Sequence, residues 1–414
     1  MKVFIFVVCL CVALVIIGLA VLSEQVNAPG AELIEYEPPP EVSLPDLTER
    51  FPAPDLADDV VMSPIPEPPA GEEISPVPEP PDDDIPPDPE SDYTEDEEPS
   101  IITQEQEELF ELPVNGATGW AARVLPLRRT PESVSDVITN LAPGQGFTIL
   151  HERGNWWNIQ LSGGMSGWVE HSSCFINLPD VIPSIIYDIT NSYSSIKRSS
   201  GYDIPSITGQ ALYEAWAYNN RLGKYEFIVP SMYEMSKRVS EMQRAALADG
   251  NTIIIFEAFR PHETQQNVYR SLTDLMAANE VVRNAINTPP WSIGAFIATS
   301  LSNHQRAAAI DASLARIISH NERTIGNYTF THIVEYEEYE MPSAMHELSP
   351  WAVMNSSTAT TGATLLRGYF INQGFTSVSS EWWHFNEPTS ISIATRFGIS
   401  GAFFIDTIYS VLPV

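Results

Sequence analysis

Residues 23–112 cannot build a hydrophobic core, and that constrains the chain more than any other feature. This stretch holds 19 of the 34 prolines and 28 of the 54 acidic residues, with Arg50 its only basic residue. Proline removes backbone donors and like charges repel, so the segment is expected to be an extended, disordered acidic linker. It also carries 27 of the 33 net negative charges, which leaves the rest of the 414-residue chain only mildly acidic. Everything that folds must therefore lie after it. The absence of a basic patch excludes nucleic acid as an expected partner.

Before the linker, residues 3–22 are twenty uncharged, mostly apolar residues preceded by Lys2. A helix of that length spans about 30 Å, the thickness of a bilayer core. Residues 1–22 are expected to anchor the chain in the cell membrane as a single pass, with Lys2 inside and the bulk outside. Val26-Asn27-Ala28 is a poor signal-cleavage site, but cleavage and secretion remain the alternative. With a retained anchor the linker would be a stalk; otherwise it is a solubilising tail. Cys9 and Cys11 lie in the apolar run, so Cys174 is alone in the folding part and no disulfide framework is available there.

From about residue 113 to 180 the pattern changes to short alternating segments separated by glycine, proline and asparagine. Period-two apolar spacing between such turns reads as a small all-β unit. Leu127-Arg128 before Pro131, the turn at 141–144, the Gly154–Trp157 turn and strand, and Gly167-Trp168-Val169 resemble bacterial SH3-like domains of wall-associated proteins. Trp156, Trp157 and Trp168 either pack the core or line a groove for peptidoglycan peptides, with core favoured.

Residues 183–414 read as an α+β domain. Helices are expected at 210–218, 232–248, 265–278 and 361–373, the second with Met235, Val239, Met242 and Ala246 on one face. Residues 251–259 form an isoleucine-rich apolar run, the mark of a buried strand. Further strands are expected at 307–314 and 382–386.

Two motifs about seventy residues apart carry the chemistry: S-N-H-Q-R-A-A-A-I-D at 302–311 and E-W-W-H at 381–384. They offer two imidazoles, one carboxylate to complete a metal site, and one spare carboxylate. That is the inventory of a catalytic zinc site with three protein ligands, an open position and a general base. On a strand from Ala307, Asp311 would share a face with Ala307, Ala309 and Ser313, leaving room for an ion. Glu381 and His384, three apart, would face opposite sides of a straight strand, so a bulge or turn at Glu381 is required.

Together with I-T-G-Q from Ile207, F-R-P at 259–261, Y-E-M-P-S-A-M-H-E-L-S from Tyr339 and G-F-T-S-V-S-S-E-W-W-H-F from Gly374, these motifs resemble the zinc D-Ala-D-Ala peptidases of the vancomycin-resistance type, VanX dipeptidases and VanY carboxypeptidases. The resemblance runs from about residue 209 to 385. It implies His304, Asp311 and His384 as zinc ligands, Glu381 as general base on the attacking water, Arg260 as the support of the oxyanion, and Ser302 near the substrate. The E-W-W-H form and the I-T-G segment look closer to the dipeptidase branch. Ala307 stands where the family usually has glycine, and His346 where dipeptidases often have aspartate; His346 is expected to be a loop residue, with a role in substrate binding as the alternative. His262 and His332 are expected to be surface or structural residues.

The expected architecture is an α+β catalytic domain with a central antiparallel sheet carrying the zinc site, preceded by a small all-β SH3-like barrel. The expected function is zinc-dependent hydrolysis of D-Ala-D-Ala-type peptides in peptidoglycan metabolism, with dipeptide and stem peptide both open as substrates. The rival is a non-catalytic wall-binding or scaffold protein that uses the SH3-like unit. The intact Glu381 argues against that rival.

Overall fold

The computed structural model describes residues 113–326, 328–408 and 410–412. The anchor expected at 1–22 and the linker expected at 23–112 lie outside the described residues. Among the described residues no helix is long and apolar enough to cross a membrane.

The N-terminal part is a run of short strands: β1 (Thr118–Ala121), β2 (Leu125–Arg128), β3 (Val137–Leu141), β4 (Gly146–Arg153), β5 (Trp156–Gln160), β6 (Ser166–Glu170) and β7 (Cys174–Asn177). A one-turn helix, α1 (Leu178–Val181), follows. Trp157 is fully buried and meets Tyr233 edge-on with ring centroids 4.7 Å apart, so it is a core residue. Trp156 and Trp168 are half-buried, and Trp168 packs edge-on against His151. The sheet order is β13-β7-β1-β4-β5-β6-β2-β3, and its first strand, β13 (Pro230–Met232), comes from beyond the boundary expected near residue 180. The buried apolar residues of the SH3-like part and of the following part form one contiguous cluster.

The chain returns once more to this sheet. Asp406 N donates to Gly144 O at 2.9 Å, and Trp120 Nε1 donates to Asp406 O at 2.8 Å. Gly144 has φ +81°, and a Cβ there would lie 2.1 Å from Phe404 O. Only glycine allows both that backbone conformation and that approach.

The second sheet is mixed. Its path is β17 (Thr376–Val378), β18 (Glu381–Asn386), β15 (Ala309–Ile325), β14 (Asn251–Glu257) and β8 (Ile186–Tyr187), with β16 (Tyr328–Glu338) paired to β15. All its pairings are antiparallel except β14 with β8, which is parallel. All seven residues of β14 are buried, as its isoleucine-rich run predicts. The helix α2 (Tyr233–Ala248) packs on β14 through Met235, Val239, Met242 and Ala246, the face expected from their spacing. The helices α3 (His262–Ala278) and α4 (Glu280–Asn287) follow. The helix α5 (Thr361–Asn372) packs on β15 and β18 and ends before Gly374 at φ +79°. The last helix is α6 (Pro388–Phe397).

Two expectations differ from the structure. Residues 210–218 contain no helix; they lead into a hairpin of β11 (Trp216–Asn219) and β12 (Lys224–Phe227), after a small β9–β10 hairpin (Arg198–Ser199, Tyr202–Asp203). Aromatic pairs across β11 and β12, Trp216 with Phe227 and Tyr218 with Tyr225, favour the strand. The strand expected at 307–314 begins at Ala309 and runs to Ile325, because its second half is held by β16 as a long hairpin.

Ala307 does not join that strand. It is left-handed, with φ 50° and ψ 36°, and closes the one-turn 3-10 helix His304–Arg306. An L-residue pays about 1–2 kcal/mol for this conformation. The fully buried methyl group offsets about 0.8 kcal/mol of this, so alanine holds the glycine-like position at a reduced cost.

Candidate active site

Strand register builds the site. Asp311 on β15 pairs with His384 on β18 at one side and with Glu257 on β14 at the other. Directly opposed residues project to the same face of a sheet. Glu257, Asp311 and His384 therefore stand in one row across three strands. His304 joins them from the 3-10 turn just before β15. Ser302 caps that turn, its Oγ accepting from His304 N at 3.2 Å, and His304 O accepts from Arg260 N at 3.1 Å.

The bulge demanded by the E-W-W-H spacing is present. Ser377 pairs with Phe385, but Val378 pairs with Glu381, so residues 382–384 are displaced from regular pairing. This turns Glu381 towards the row, with Oε2 at 3.9 Å from His384 Nδ1. Trp382 and Trp383 are buried at 2% and 1% exposure, and Trp383 lines the site.

The hydrogen bonds around the imidazoles set their tautomers. His304 Nδ1 lies 2.9 Å from Ala258 O, a pure acceptor, so this nitrogen carries the proton. His384 Nε2 lies 3.1 Å from Asn386 Oδ1, which also accepts from Asn303 Nδ2 at 2.8 Å. The remaining nitrogens, His304 Nε2 and His384 Nδ1, are lone pairs 3.1 Å apart. Both face Asp311 Oδ1, at 3.1 and 3.0 Å. Three potential ligand atoms thus converge on one point, a group that could hold a metal ion. A tetrahedral ion bound at about 2.0–2.1 Å sets its donors roughly 3.3 Å apart, so the donor set and spacing fit a zinc-like ion.

The other oxygen of Asp311 faces protein. Asp311 Oδ2 accepts from His346 Nε2 at 3.0 Å and lies 3.4 Å from Arg260 Nη2. His346 Nδ1 in turn accepts from Asn191 Nδ2 at 2.9 Å. His346 was expected to be an ordinary loop residue; it lies in a loop, at φ +59°, but is 1% exposed and directly behind the proposed ligand. His262 and His332 lie away from the row, His262 exposed at the start of α3 and His332 on the β15–β16 hairpin.

Glu257 was not expected. Its Oε1 accepts from Tyr213 OH at 3.1 Å, and its Oε2 meets Arg260 Nη2, Asn191 Nδ2 at 3.3 Å and Lys197 Nζ at 3.4 Å. Glu257, Asp311 and His346 also lie close enough to hold an ion. Arg260 and Lys197 already supply cationic charge to Glu257, so this second group is neutralised from within. The only signal for it in the sequence is a glutamate ending an apolar strand three residues before Arg260.

Charge states follow from burial and neighbours. Burial pulls His304 below the usual histidine value and takes His346 down to about 4, so both are neutral. Burial opposes ionisation of Asp311 and Glu257, but His304 beside the first, and Arg260 and Lys197 beside the second, hold both well below the carboxylate range. Glu381 behaves differently: burial, opposed by His384, pushes it up to about 7. Ser302, His304, Arg260, Asp311, Glu381 and His384 all line one cleft of about 380 Å3.

The chain is similar to known proteins over both of its parts. Residues 219–398 match the family described as D-ala-D-ala dipeptidase, and residues 123–174 match the bacterial SH3 domain. A D-alanyl-D-alanine dipeptidase of Escherichia coli (strain K12) is 25% identical over 187 residues, which cover 45% of this chain and 76% of that relative. Both resemblances read from the motifs are thereby shown.

Proposed function

We propose, taking the match of residues 219–398 to the D-ala-D-ala dipeptidase family as premise, that the protein is a zinc-dependent peptidase of D-Ala-D-Ala-type peptides. The observation that carries this reading is the convergence of three potential ligand atoms, His304 Nε2, His384 Nδ1 and Asp311 Oδ1, with Glu381 Oε2 3.9 Å from His384 Nδ1. When bound there, zinc supplies a Lewis acid that polarises the peptide carbonyl and acidifies water.

The chain's own residues do the rest. Glu381, poised near neutrality, takes a proton from the attacking water and returns it to the leaving amine. Arg260 spends Nη1 on Gln265 at 2.7 Å and Nη2 on Glu257 and Asp311. Its buried Nε has no hydrogen-bond partner among the described residues and is one donor still open for a developing oxyanion. Ser302 holds the His304 turn and borders the substrate cleft. Ala258 O and Asn386 Oδ1 fix the two imidazoles, which sharpens the ligand set before any ion arrives.

The setting belongs to the same proposal. An uncleaved segment at 1–22 and the acidic linker would hold the peptidase outside the cell membrane, within reach of peptidoglycan peptides. The test is metal analysis of the purified protein together with incubation with D-Ala-D-Ala and with a stem pentapeptide. One zinc per chain and release of D-alanine are expected. A zinc-loaded protein that cleaves neither would remove the peptidase reading.

A further inference from the structure

Lys197 is the one charged side chain of the cleft without a settled role. It is 1% exposed, yet it lines the cleft beside Arg260, His346 and Glu381. Among the described residues its Nζ has one side-chain partner, Glu257 Oε2 at 3.4 Å. Glu257 hardly needs it, because Arg260 pairs with the same oxygen, Asn191 donates to it, and Tyr213 holds the other. An ammonium has three donors, and burying one without full pairing is costly. Burial, then Arg260, pulls the Lys197 pKa down, so the charge sits there at a cost that an anion would relieve.

The charge inventory of the cleft points the same way. Among the described residues its lining carboxylates are Asp311 and Glu381, with Glu257 behind them. Asp311 is committed to His304, His384 and His346, and Glu257 is already held by Arg260, Asn191 and Tyr213. Glu381 is committed to proton transfer. With a divalent ion in place, four positive charges face at most three negative ones. No carboxylate remains to receive a substrate ammonium, while a cation remains to receive a carboxylate.

Resting on the peptidase reading above, we infer that Lys197 is a specificity residue that receives the C-terminal carboxylate of the substrate, and that the amino side of the scissile bond enters acylated and uncharged. The substrate class is then an N-acylated peptide with a free C-terminus, cleaved by a carboxypeptidase action, in preference to a free dipeptide.

Binding tests this separately from turnover. Full-length, zinc-loaded Glu381→Gln protein is titrated calorimetrically with three ligands: Nα-acetyl-D-Ala-D-Ala, its C-terminal amide, and unblocked D-Ala-D-Ala. The same titrations are repeated on Glu381→Gln/Lys197→Met. The acetylated acid should bind at least tenfold more tightly than either other ligand. Lys197→Met should erase the acid-over-amide ratio and leave the affinity for the amide nearly unchanged. A merely structural lysine would weaken acid and amide alike. Equal affinity for acid and amide, an acid preference that survives Lys197→Met, or tighter binding of the unblocked dipeptide each overturns the inference. Should Lys197→Met not fold, Lys197→Arg decides: it retains the cation and should keep the acid preference, and losing it overturns the inference. Failure of the peptidase reading shows separately, as wild-type protein that binds the acid by this pattern but releases no D-alanine.

Discussion

His346 Nε2 donates to Asp311 Oδ2 at 3.0 Å, on the carboxylate oxygen turned away from His304 and His384. Asp311 therefore keeps one oxygen for an ion and anchors itself by the other. His346→Ala removes that anchor, and leaves Asn191 Nδ2 with only Glu257 as partner. Such outer partners are worth about 10–100-fold in metal affinity. A zinc titration against a competing chelator should show a loss in this range with the site still formed. Unchanged affinity would refute the anchoring role.

His304→Ala and His384→Ala each delete one of the three converging acceptors. Both variants should be isolated without stoichiometric zinc, while the wild type holds one per chain. Elemental analysis after dialysis decides it, and wild-type zinc content in both variants would mean that the ion, if any, binds elsewhere.

Glu381 stands 3.9 Å from the nearest proposed ligand atom, on the displaced segment of β18. Glu381→Ala should retain zinc and lose about 10²–10⁴-fold in turnover, the usual range for a lost general base. Near-normal hydrolysis by a zinc-loaded Glu381→Ala protein would take Glu381 out of the mechanism.

Arg260 combines two tasks, and they can be separated. Arg260→Met strips the main charge partner from Glu257, which is fully buried, and breaking such a pair costs about 3–5 kcal/mol. Its denaturation midpoint should drop sharply. Arg260→Lys keeps the charge but not the planar fork or the buried Nε, so the main loss should be in turnover. A normal midpoint for Arg260→Met would show that Lys197 alone can hold Glu257.

The same pair makes the fold acid-sensitive in one direction. The folded Glu257 is held well below its usual value, chiefly by Arg260 against the penalty of burial. Its contribution is therefore complete above the unfolded value of about 4.3 and drains away as pH falls towards the folded value. Chemical denaturation between pH 6 and pH 3 should show stability falling below about pH 4.3. A midpoint that stays level to pH 3 would contradict this.

Residue type and local spacing were enough to mark several parts of this protein. The apolar face of α2, the buried β14 and the end of α5 at Gly374 are set by periodicity and by local backbone preference, which act within a few residues. For Glu381 and His384 the spacing set only a condition, because no straight strand can put both on one side; it did not supply the bulge that meets it. Each of these rests on forces between near neighbours in the chain.

What local sequence could not say depends on pairing across long separations. Glu257 reached the site because β14 lies beside β15 in a register that sets it opposite Asp311. His346 reached it because a left-handed turn in the 339–349 loop points inward, beneath Trp383 and against Asn191. Residues 216–219 became a strand because residues 224–227 were available to pair with them. β15 grew to seventeen residues because β16 supplied a partner beyond the core. The sequence alone determined which groups could bind an ion and move a proton. Tertiary structure decided which third carboxylate, third imidazole and buried lysine stand beside them, since backbone hydrogen bonding between distant strands sets those neighbours and leaves no local pattern to read.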